Sequence, residues 1–389
     1  MAEKTLFALV NGTIHGQDGV LHDHALLIQD ERIAALLPQH ACPAGIPTHD
    51  LGGAHLSAGF IDLQLNGCGG VMFNQAPTIT TLEQMQEANL RSGTTSFLPT
   101  LITSRDEEMR TAIEATRDYM QRRPHEVLGL HLEGPYTNPQ RKGIHPQSLI
   151  RTPSPEMIDY LCEQAPWIAK ITLAPETNQP SHIQRLTDAG ILVAIGHSAA
   201  TYDQAMTGFT AGIRFATHLY NAMTPTLNGR EPGVVGAIYD RDDIYAGIIV
   251  DGHHVHPANV RLAHKLLGER LCLVTDATAP AGAANGFDHF DFCGATVFYR
   301  NGQCVDANGT LGGSALTMIE GVCNLVAQVG LPLDEALRMA SLYPSRAIGI
   351  DSELGSITPG KIANLVVFDD NYRVHATVVN GHYQEHKPL

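Results

Sequence analysis

No long run of basic residues occurs anywhere in this chain. The balance is acidic, with 25 Lys and Arg against 40 Asp and Glu and a formal net charge of −15. Nucleic-acid affinity depends on neutralising phosphates with clustered Lys and Arg, so that class of partner is not expected. A small anionic substrate stays compatible, given a local cationic pocket. Long apolar runs are missing too. None reaches the ~18 residues of a membrane span, and Asn11-Gly12 interrupts the N-terminal run Leu6–Val10 before it is long enough for a signal peptide. No CxxC pair occurs, and the seven cysteines (Cys42, Cys68, Cys162, Cys272, Cys293, Cys304, Cys323) are odd in number and widely spaced. Reduced, mostly buried thiols and a cytoplasmic location are expected, with no membrane and no nucleic acid as partners.

What is present is a large apolar fraction, 43%, with only 17% charged residues, enough for an extensive core. The length of 389 residues exceeds one compact domain of ordinary size but suits a (β/α)8 barrel with an appendage. From Phe7 to about Leu51 the pattern is short strands and turns: Leu6–Val10, His24–Gln29 and Arg32–Leu37, with Asn11-Gly12 and Asp30-Glu31 between them. This predicts antiparallel hairpins. The other end repeats the style in Ala363–Phe368, Arg373–Val379 and Asn380-Gly381. Neither segment could close a core alone, so the two ends are expected to build one small β-sandwich.

Between Gly59 and about Ile350 the rhythm becomes strand, loop, helix. Eight strands are predicted at Phe60–Leu65, Thr95–Leu101, Leu128–Glu133, Ala169–Leu173, Ile191–Gly196, Ile213–His218, Tyr245–Val250 and Leu271–Thr275. Amphipathic helices are predicted at Thr81–Arg91, Arg105–Arg122, Pro155–Glu163, Ser181–Ala189, Pro257–Leu267, Ala315–Val329 and Leu333–Ser341. Parallel neighbours need crossover helices, so the fold class is α/β, a TIM-like (β/α)8 barrel. The expected division is residues 1–54 and 355–389 for the β-sandwich and 55–354 for the barrel. A doubly wound open sheet would bring only two adjacent strands to a crevice, whereas polar residues end at least five strands here.

Four of those polar residues carry the chemistry: Glu133 in His131-Leu-Glu-Gly-Pro135, His197 in Ile195-Gly-His-Ser198, His218 in Thr217-His-Leu-Tyr-Asn221 and Asp276 in Thr275-Asp-Ala-Thr278. With 20 histidines in the chain, one at a strand end is unremarkable and usually a hydrogen-bonded core residue. Two carboxylates directly after apolar strands are different, because a buried carboxylate needs a partner. One carboxylate and two imidazoles around an open position make a common catalytic set for zinc or another borderline first-row ion.

The chain resembles the amidohydrolase superfamily, in its N-acetylglucosamine-6-phosphate deacetylase branch, over essentially its whole length. The resemblance rests on Ser57-Ala-Gly-Phe-Ile-Asp-Leu-Gln-Leu-Asn-Gly-Cys-Gly-Gly70, Gly129-Leu-His-Leu-Glu-Gly-Pro135, Lys142-Gly-Ile-His145, Thr217-His-Leu-Tyr-Asn-Ala-Met223, Gly229-Arg-Glu-Pro-Gly233 and Thr275-Asp-Ala-Thr-Ala-Pro-Ala-Gly282, with a closing Gly355–Phe368 segment. It implies hydrolysis of N-acetyl-D-glucosamine 6-phosphate to D-glucosamine 6-phosphate and acetate, a step of amino-sugar catabolism.

It further implies one divalent ion per subunit on Glu133, His197 and His218. Zinc is favoured, and Fe2+, Co2+ or Mn2+ can occupy the same set. Asp276 would be general base and then acid, and His145 would donate to the acetyl oxygen. Ile144, His145, Asn221 and Ala222 match substrate-contacting positions. Leu311, Gly312 and Gly313 match a flexible loop over the sugar. Arg230 and His254 match phosphate contacts supplied from a neighbouring subunit, which implies a homodimer or larger homo-oligomer. His253 and His256, in Asp251-Gly-His-His-Val-His256, are expected to be polar surface, and the histidines of that segment lack an obvious carboxylate companion.

The chain departs from the superfamily at strand one, where Gln64-Leu65-Asn66 stands in place of a His-x-His pair. Amides are poor zinc ligands, so a mononuclear centre is predicted. Two other functions compete with this one. A different amidohydrolase, acting on a cyclic amide or nucleobase, is disfavoured by the missing pair and the Lys-Gly-Ile-His loop. A non-catalytic scaffold would be expected to have lost at least one of the four polar residues.

Overall fold

The computed structural model describes residues 5–17, 19–283 and 286–386, so the outermost residues of both expected sandwich segments lie outside it. Eight parallel strands form one sheet in chain order: Phe60–Leu65, Thr94–Ile102, Leu130–Glu133, Ile168–Leu173, Leu192–Ile195, Phe215–Ala216, Tyr245–Ile248 and Leu271–Leu273. They are numbered barrel strands one to eight below. A parallel bridge between Leu65 and Ala277 joins the last strand back to the first, and Asp276 N–H donates to the Gln64 carbonyl at 2.9 Å. The sheet is a closed barrel.

All nine residues of strand two and all six of strand one are buried, as expected where a barrel sheet is covered by helices outside and side chains inside. Helices at Ile79–Leu90, Asp106–Arg122, Pro155–Glu163, Pro180–Asp188, Tyr202–Thr210, Gly233–Tyr239 and Pro257–Leu267 connect successive strands. Ser154 caps the third of these, with its side chain accepting from Met157 N–H and Pro155 at the first turn. The expected helix over Ala315–Val329 is shorter and split: an α-helix over Met318–Asn324 runs into five π-helical residues, Leu325–Val329.

The barrel interior below its C-terminal rim is polar in part. Lys170 is fully buried, donating to the Leu63 carbonyl at 2.7 Å and lying 4.6 Å over the Phe215 ring. His131 bridges Thr100 and Thr172 at 3.0 and 2.7 Å, and Thr172 meets Thr217 at 2.7 Å. These side chains come from strands two, three, four and the tip of six, so they cross-link the barrel directly under the rim.

The two chain ends build the second body. Leu365–Phe368 pairs antiparallel with His55–Ala58 inside a six-stranded sheet that also holds Val374–Val379. A four-stranded sheet of N-terminal strands faces it across a core of Leu9, Leu26, Ile28, Leu56, Leu365 and Val378. The sandwich is less purely antiparallel than its turns imply. Leu6–Val10 pairs parallel with Thr48–Asp50, and Thr13–Gly16 pairs parallel with His55–Ala58.

A three-stranded antiparallel sheet, His289–Phe292, Ala295–Arg300 and Gln303–Val305, follows strand eight. Sequence reading did not anticipate it. Its Phe290, Phe292 and Val297 pack with Met72 and Ile102 beside the rim. No helix among the described residues is long and apolar enough to cross a membrane.

Candidate active site and metal centre

Glu133 ends strand three, His197 and His218 lie two residues beyond strands five and six, and Asp276 lies three beyond strand eight. His197, His218 and Asp276 have φ of +46°, +34° and +50°. Side chains rarely adopt that left-handed region, and holding one there costs on the order of 1–3 kcal/mol. Each turn takes its residue out of the strand ladder and directs the side chain over the barrel mouth. That is also why strand six is only Phe215–Ala216 and stops short of the predicted His218.

Ligand atoms from Glu133, His197 and His218 lie within 4.8 Å of one another, and all three residues are buried. Glu133 Oε1 is 3.1 Å from His197 Nε2 and 2.9 Å from His218 Nε2, and the two Nε2 atoms are 3.1 Å apart. Bonds of ~2.0–2.1 Å to a tetrahedral ion imply ligand separations of about 3.3 Å, close to this triangle. Two imidazole nitrogens facing one another also need a cation or proton between their lone pairs. The donor set therefore fits a divalent metal. His197 Nδ1 donates to the Arg141 carbonyl at 2.7 Å, which fixes the tautomer and leaves Nε2 for the ion. His218 Nδ1 is buried without a partner among the described residues.

Burial alone would raise the Glu133 carboxyl, but hydrogen bonds and charge from His197 and His218 outweigh it and hold the group well below its usual range. Asp276 moves the other way. Burial, then the nearby Glu133 charge, hold it above the ordinary carboxylate value. A buried carboxyl displaced upward and facing a charged centre is suited to proton transfer.

The strand-one amides take a definite place. Gln64 Nε2 donates to Glu133 Oε2 and Asp276 Oδ1, both at 3.1 Å, and Asn66 Nδ2 donates to Asp276 Oδ1 at 2.6 Å. Facing two carboxylates, these groups serve as donors that orient acids.

One cleft of about 320 Å3 opens over the triad. Its walls include Glu133, His197, His218 and Asp276 together with Ile144, His145, Asn221, Ala222, His254, Leu311 and Gly313. His145 is buried, its ring centroid 4.2 Å from that of His197, and Thr103 Oγ1 lies 2.8 Å from its Nδ1. Burial holds its imidazole well below the usual value, so it stays neutral. The Thr103 hydroxyl can donate to Nδ1, and the proton would then sit on Nε2, available to an oxyanion.

Gly313, at φ +68°, runs so close to Asp276 that an added Cβ would lie 2.8 Å from its carbonyl oxygen and 2.5 Å from Thr278 Cγ2. Gly312 packs its backbone against Ile144 and Val297 outside the cleft wall. Arg230 is exposed, in the stretch between Met223 and the helix that begins at Gly233, and does not line the cleft.

The His254 ring is 6% exposed, its Nδ1 lies 2.6 Å from Asp251 Oδ2, and it lines the cleft of its own chain. The histidine segment thus does have a carboxylate companion. Sequence reading also passed over Gln140, Arg141, Phe292 and Thr310 as lining residues. Arg141 and Gln140 immediately precede the Lys142–His145 motif, a position that could have flagged them.

Residues 55–383 match the model of the amidohydrolase family, and residues 6–56 match that of the NagA composite domain. The chain belongs to the amidohydrolase family. A Haemophilus influenzae protein named N-acetylglucosamine-6-phosphate deacetylase is 51% identical over 379 residues, 97% of this chain and 99% of its own length. A crystal structure of N-acetylglucosamine-6-phosphate deacetylase from Pasteurella multocida superposes with a TM-score of 0.96 at 52% identity, covering 98% of this chain and all of that one. A Shewanella protein named N-acetylgalactosamine-6-phosphate deacetylase is 39% identical over 86% of this chain and 84% of its own.

Proposed function

We propose that this amidohydrolase is an N-acetylglucosamine-6-phosphate deacetylase, hydrolysing N-acetyl-D-glucosamine 6-phosphate to D-glucosamine 6-phosphate and acetate in amino-sugar catabolism. The observation that carries the reading is the meeting of Glu133, His197, His218, Asp276 and His145 in one cleft of a chain so similar to enzymes of that name. Glu133, His197 and His218 hold one divalent ion, for which zinc suits the donor set best. Such an ion would lower the pKa of a bound water toward ~7 and polarise a carbonyl.

Asp276 takes a proton from the attacking water as the new C–O bond forms. His145 Nε2–H donates to the acetyl oxygen as negative charge gathers there, an effect typically worth ~3–4 kcal/mol. Asp276 then passes its proton to the sugar nitrogen, and the C–N bond breaks to give acetic acid and a neutral amine; the acid's remaining proton passes to the amine or to water, leaving acetate. Gln64 and Asn66 hold the Asp276 carboxylate in line between these two transfers.

Ile144, Asn221, Ala222, Leu311 and Gly313 contact the sugar, with Gly312 supporting the Leu311 loop. Arg230, exposed and clear of its own cleft, contributes to a neighbour's phosphate site in a homodimer or larger homo-oligomer. The working location is cytoplasmic. In this reading the catalytic barrel occupies residues 55–354 and the sandwich occupies 1–54 and 355–389, with His55–Ala58 as the shared strand.

The deciding experiment measures acetate release from N-acetylglucosamine 6-phosphate, with its galactosamine epimer, dihydroorotate and adenine in parallel. Preference for the glucosamine substrate, abolished by a chelator and restored by Zn2+, is the expected result. Preference for the galactosamine epimer would reassign the substrate, following the Shewanella relative. Turnover of only a cyclic amide or nucleobase would overturn the reading.

A further inference from the structure

The turn that carries Asp276 is pinned by a side chain that the chemistry above does not use. Asp276 sits at φ +50°, a conformation that persists only where its surroundings over-determine it. Each backbone hydrogen-bonding group from Thr275 N–H to Ala277 N–H has a partner. Thr275 N–H donates to Asp62 Oδ1 at 3.2 Å, and the Thr275 carbonyl accepts from Ser314 Oγ at 2.6 Å. Asp276 N–H donates to the Gln64 carbonyl at 2.9 Å, and the Asp276 carbonyl accepts from Ser314 N–H at 2.8 Å. On the far side of the turn, Ala277 N–H donates to Thr275 Oγ1 at 3.1 Å. The same hydroxyl donates to Asp62 Oδ2. One side chain thus ties the residue after Asp276 to strand one, across the strained position.

We infer that Thr275 is a positioning residue for Asp276. Its side chain is buried and is not among the described residues of the cleft wall, so it reaches the reaction only through its neighbour. Asp62, at the other end of the bond, also accepts Gln64 N–H at 3.1 Å. A single buried carboxylate therefore registers the Gln64 backbone against the Thr275–Ala277 turn, and the Gln64 amide meets Asp276 Oδ1 at 3.1 Å. Without the hydroxyl, Ala277 N–H and one Asp62 oxygen lose a buried partner, which the turn recovers only by moving. Asp276 must stay within hydrogen-bond reach of both the water and the sugar nitrogen. A displaced tip therefore slows turnover while substrate binding persists. Glu133, His197 and His218 stand on strands three, five and six, so the ion stays in place.

The inference rests on the proposed deacetylation, and the test separates the two. Acetate release from N-acetylglucosamine 6-phosphate, bound metal and thermal unfolding are measured for wild type, Thr275→Val, Thr275→Ser, Asp276→Asn and the Thr275→Val/Asp276→Asn double variant. Thr275→Val is nearly isosteric but lacks the hydroxyl. It is expected to lower kcat roughly tenfold, with KM within about twofold and metal content at the wild-type level. Thr275→Ser keeps the hydroxyl and should hold kcat within about twofold of wild type. The double variant should be no slower than Asp276→Asn alone, because a residue acting through a carboxylate has nothing left to position once that carboxylate is gone. Full turnover by Thr275→Val, a Thr275→Ser enzyme just as slow, or losses that multiply in the double variant would overturn the positioning role. If Thr275→Val folds poorly, Thr275→Ala replaces it, since it differs from Thr275→Ser by the hydroxyl alone, and the same criteria decide. A wild-type enzyme that releases no acetate overturns the proposed function first, and the positioning role with it.

Discussion

His197 donates from Nδ1 to the backbone carbonyl of Arg141 at 2.7 Å, so the ring that faces Glu133 is steered by the loop after strand three. Glu176, just after strand four, clamps that arrangement. It accepts from Asn138 Nδ2 at 2.9 Å, Ala199 N–H at 2.6 Å and Ser198 Oγ at 2.7 Å, and Asn138 N–H returns to the His197 carbonyl at 2.9 Å. Glu176→Gln removes the charge and turns one acceptor into a donor. Metal affinity should fall by about 10–100-fold, read by competition with a chromogenic chelator. Unchanged affinity would show that His197 is held without the clamp.

Asp276→Asn should lower kcat by ~10²–10⁴-fold while metal content stays at the wild-type level, since the carboxylate transfers protons and is not a ligand in this account. The pH profile carries the sign. A base acts only when ionised, and burial with the Glu133 charge raises the Asp276 carboxyl above its ordinary value. Activity should therefore fall as pH drops through a value above the ordinary ~3.9 of aspartate. An acid limb at or below that value would contradict the assignment.

Thr103→Val removes the hydroxyl facing His145 Nδ1 without touching the cleft. The lost hydrogen bond is worth roughly 1 kcal/mol, about a fivefold fall in kcat, whereas His145→Ala should cost ~10²-fold or more. Steady-state rates on the two variants check the order, and an equal effect would place Thr103 in some other role.

Much of this site could be read before any fold was known, because a (β/α)8 barrel sends strand tips to one rim and Glu133 stands directly at such a tip. Distances along the chain do not matter there: Glu133 and Asp276 lie 143 positions apart and still share the Gln64 amide. What sequence could not reveal was pairing set by turns. Asp251 and His254 meet because Gly252 reverses the chain, and nothing in their spacing distinguishes this from a solvated loop. Gln64 and Asn66 read as missing ligands, yet act as donors, since an amide can present either end. The strand His289–Phe292 carries a strict exposed–buried alternation, a legible signal overlooked behind the helix pattern that follows. The helix Tyr202–Thr210 was not among the predicted helices, although its Thr201-x-x-Gln204 capping box is a legible signal.

Below the rim, Asp62 is fully buried and pushed up to about 7, chiefly by burial, against the opposing hydrogen bonds from Thr275 and Gln64. An acid whose folded-state value is raised binds a proton in the folded chain that it has lost in the unfolded one between pH ~4 and about 7. Its contribution is present below ~4 and is lost as pH rises through about 7. Asp62→Asn should therefore gain in stability relative to wild type across that window, by no more than about 4 kcal/mol. Urea unfolding at pH 5 and pH 8 checks the direction, and a difference independent of pH would contradict it.

Gly313→Ala forces a side chain onto a backbone at φ +68° and into the Asp276 carbonyl. Stability should fall by ~1–3 kcal/mol and kcat should drop with it, because the strand-eight tip must shift. Thermal unfolding and turnover measured together test this, and a loss of neither would mean that the tip tolerates the added methyl group.

The most direct test is the metal content of the dialysed protein, by elemental analysis, for wild type beside Glu133→Ala, His197→Ala and His218→Ala. The account predicts about one divalent ion per wild-type chain and nearly none in any of the three variants. Two ions per chain, or an ion retained when Glu133 is gone, would contradict a single cation gripped by these three side chains.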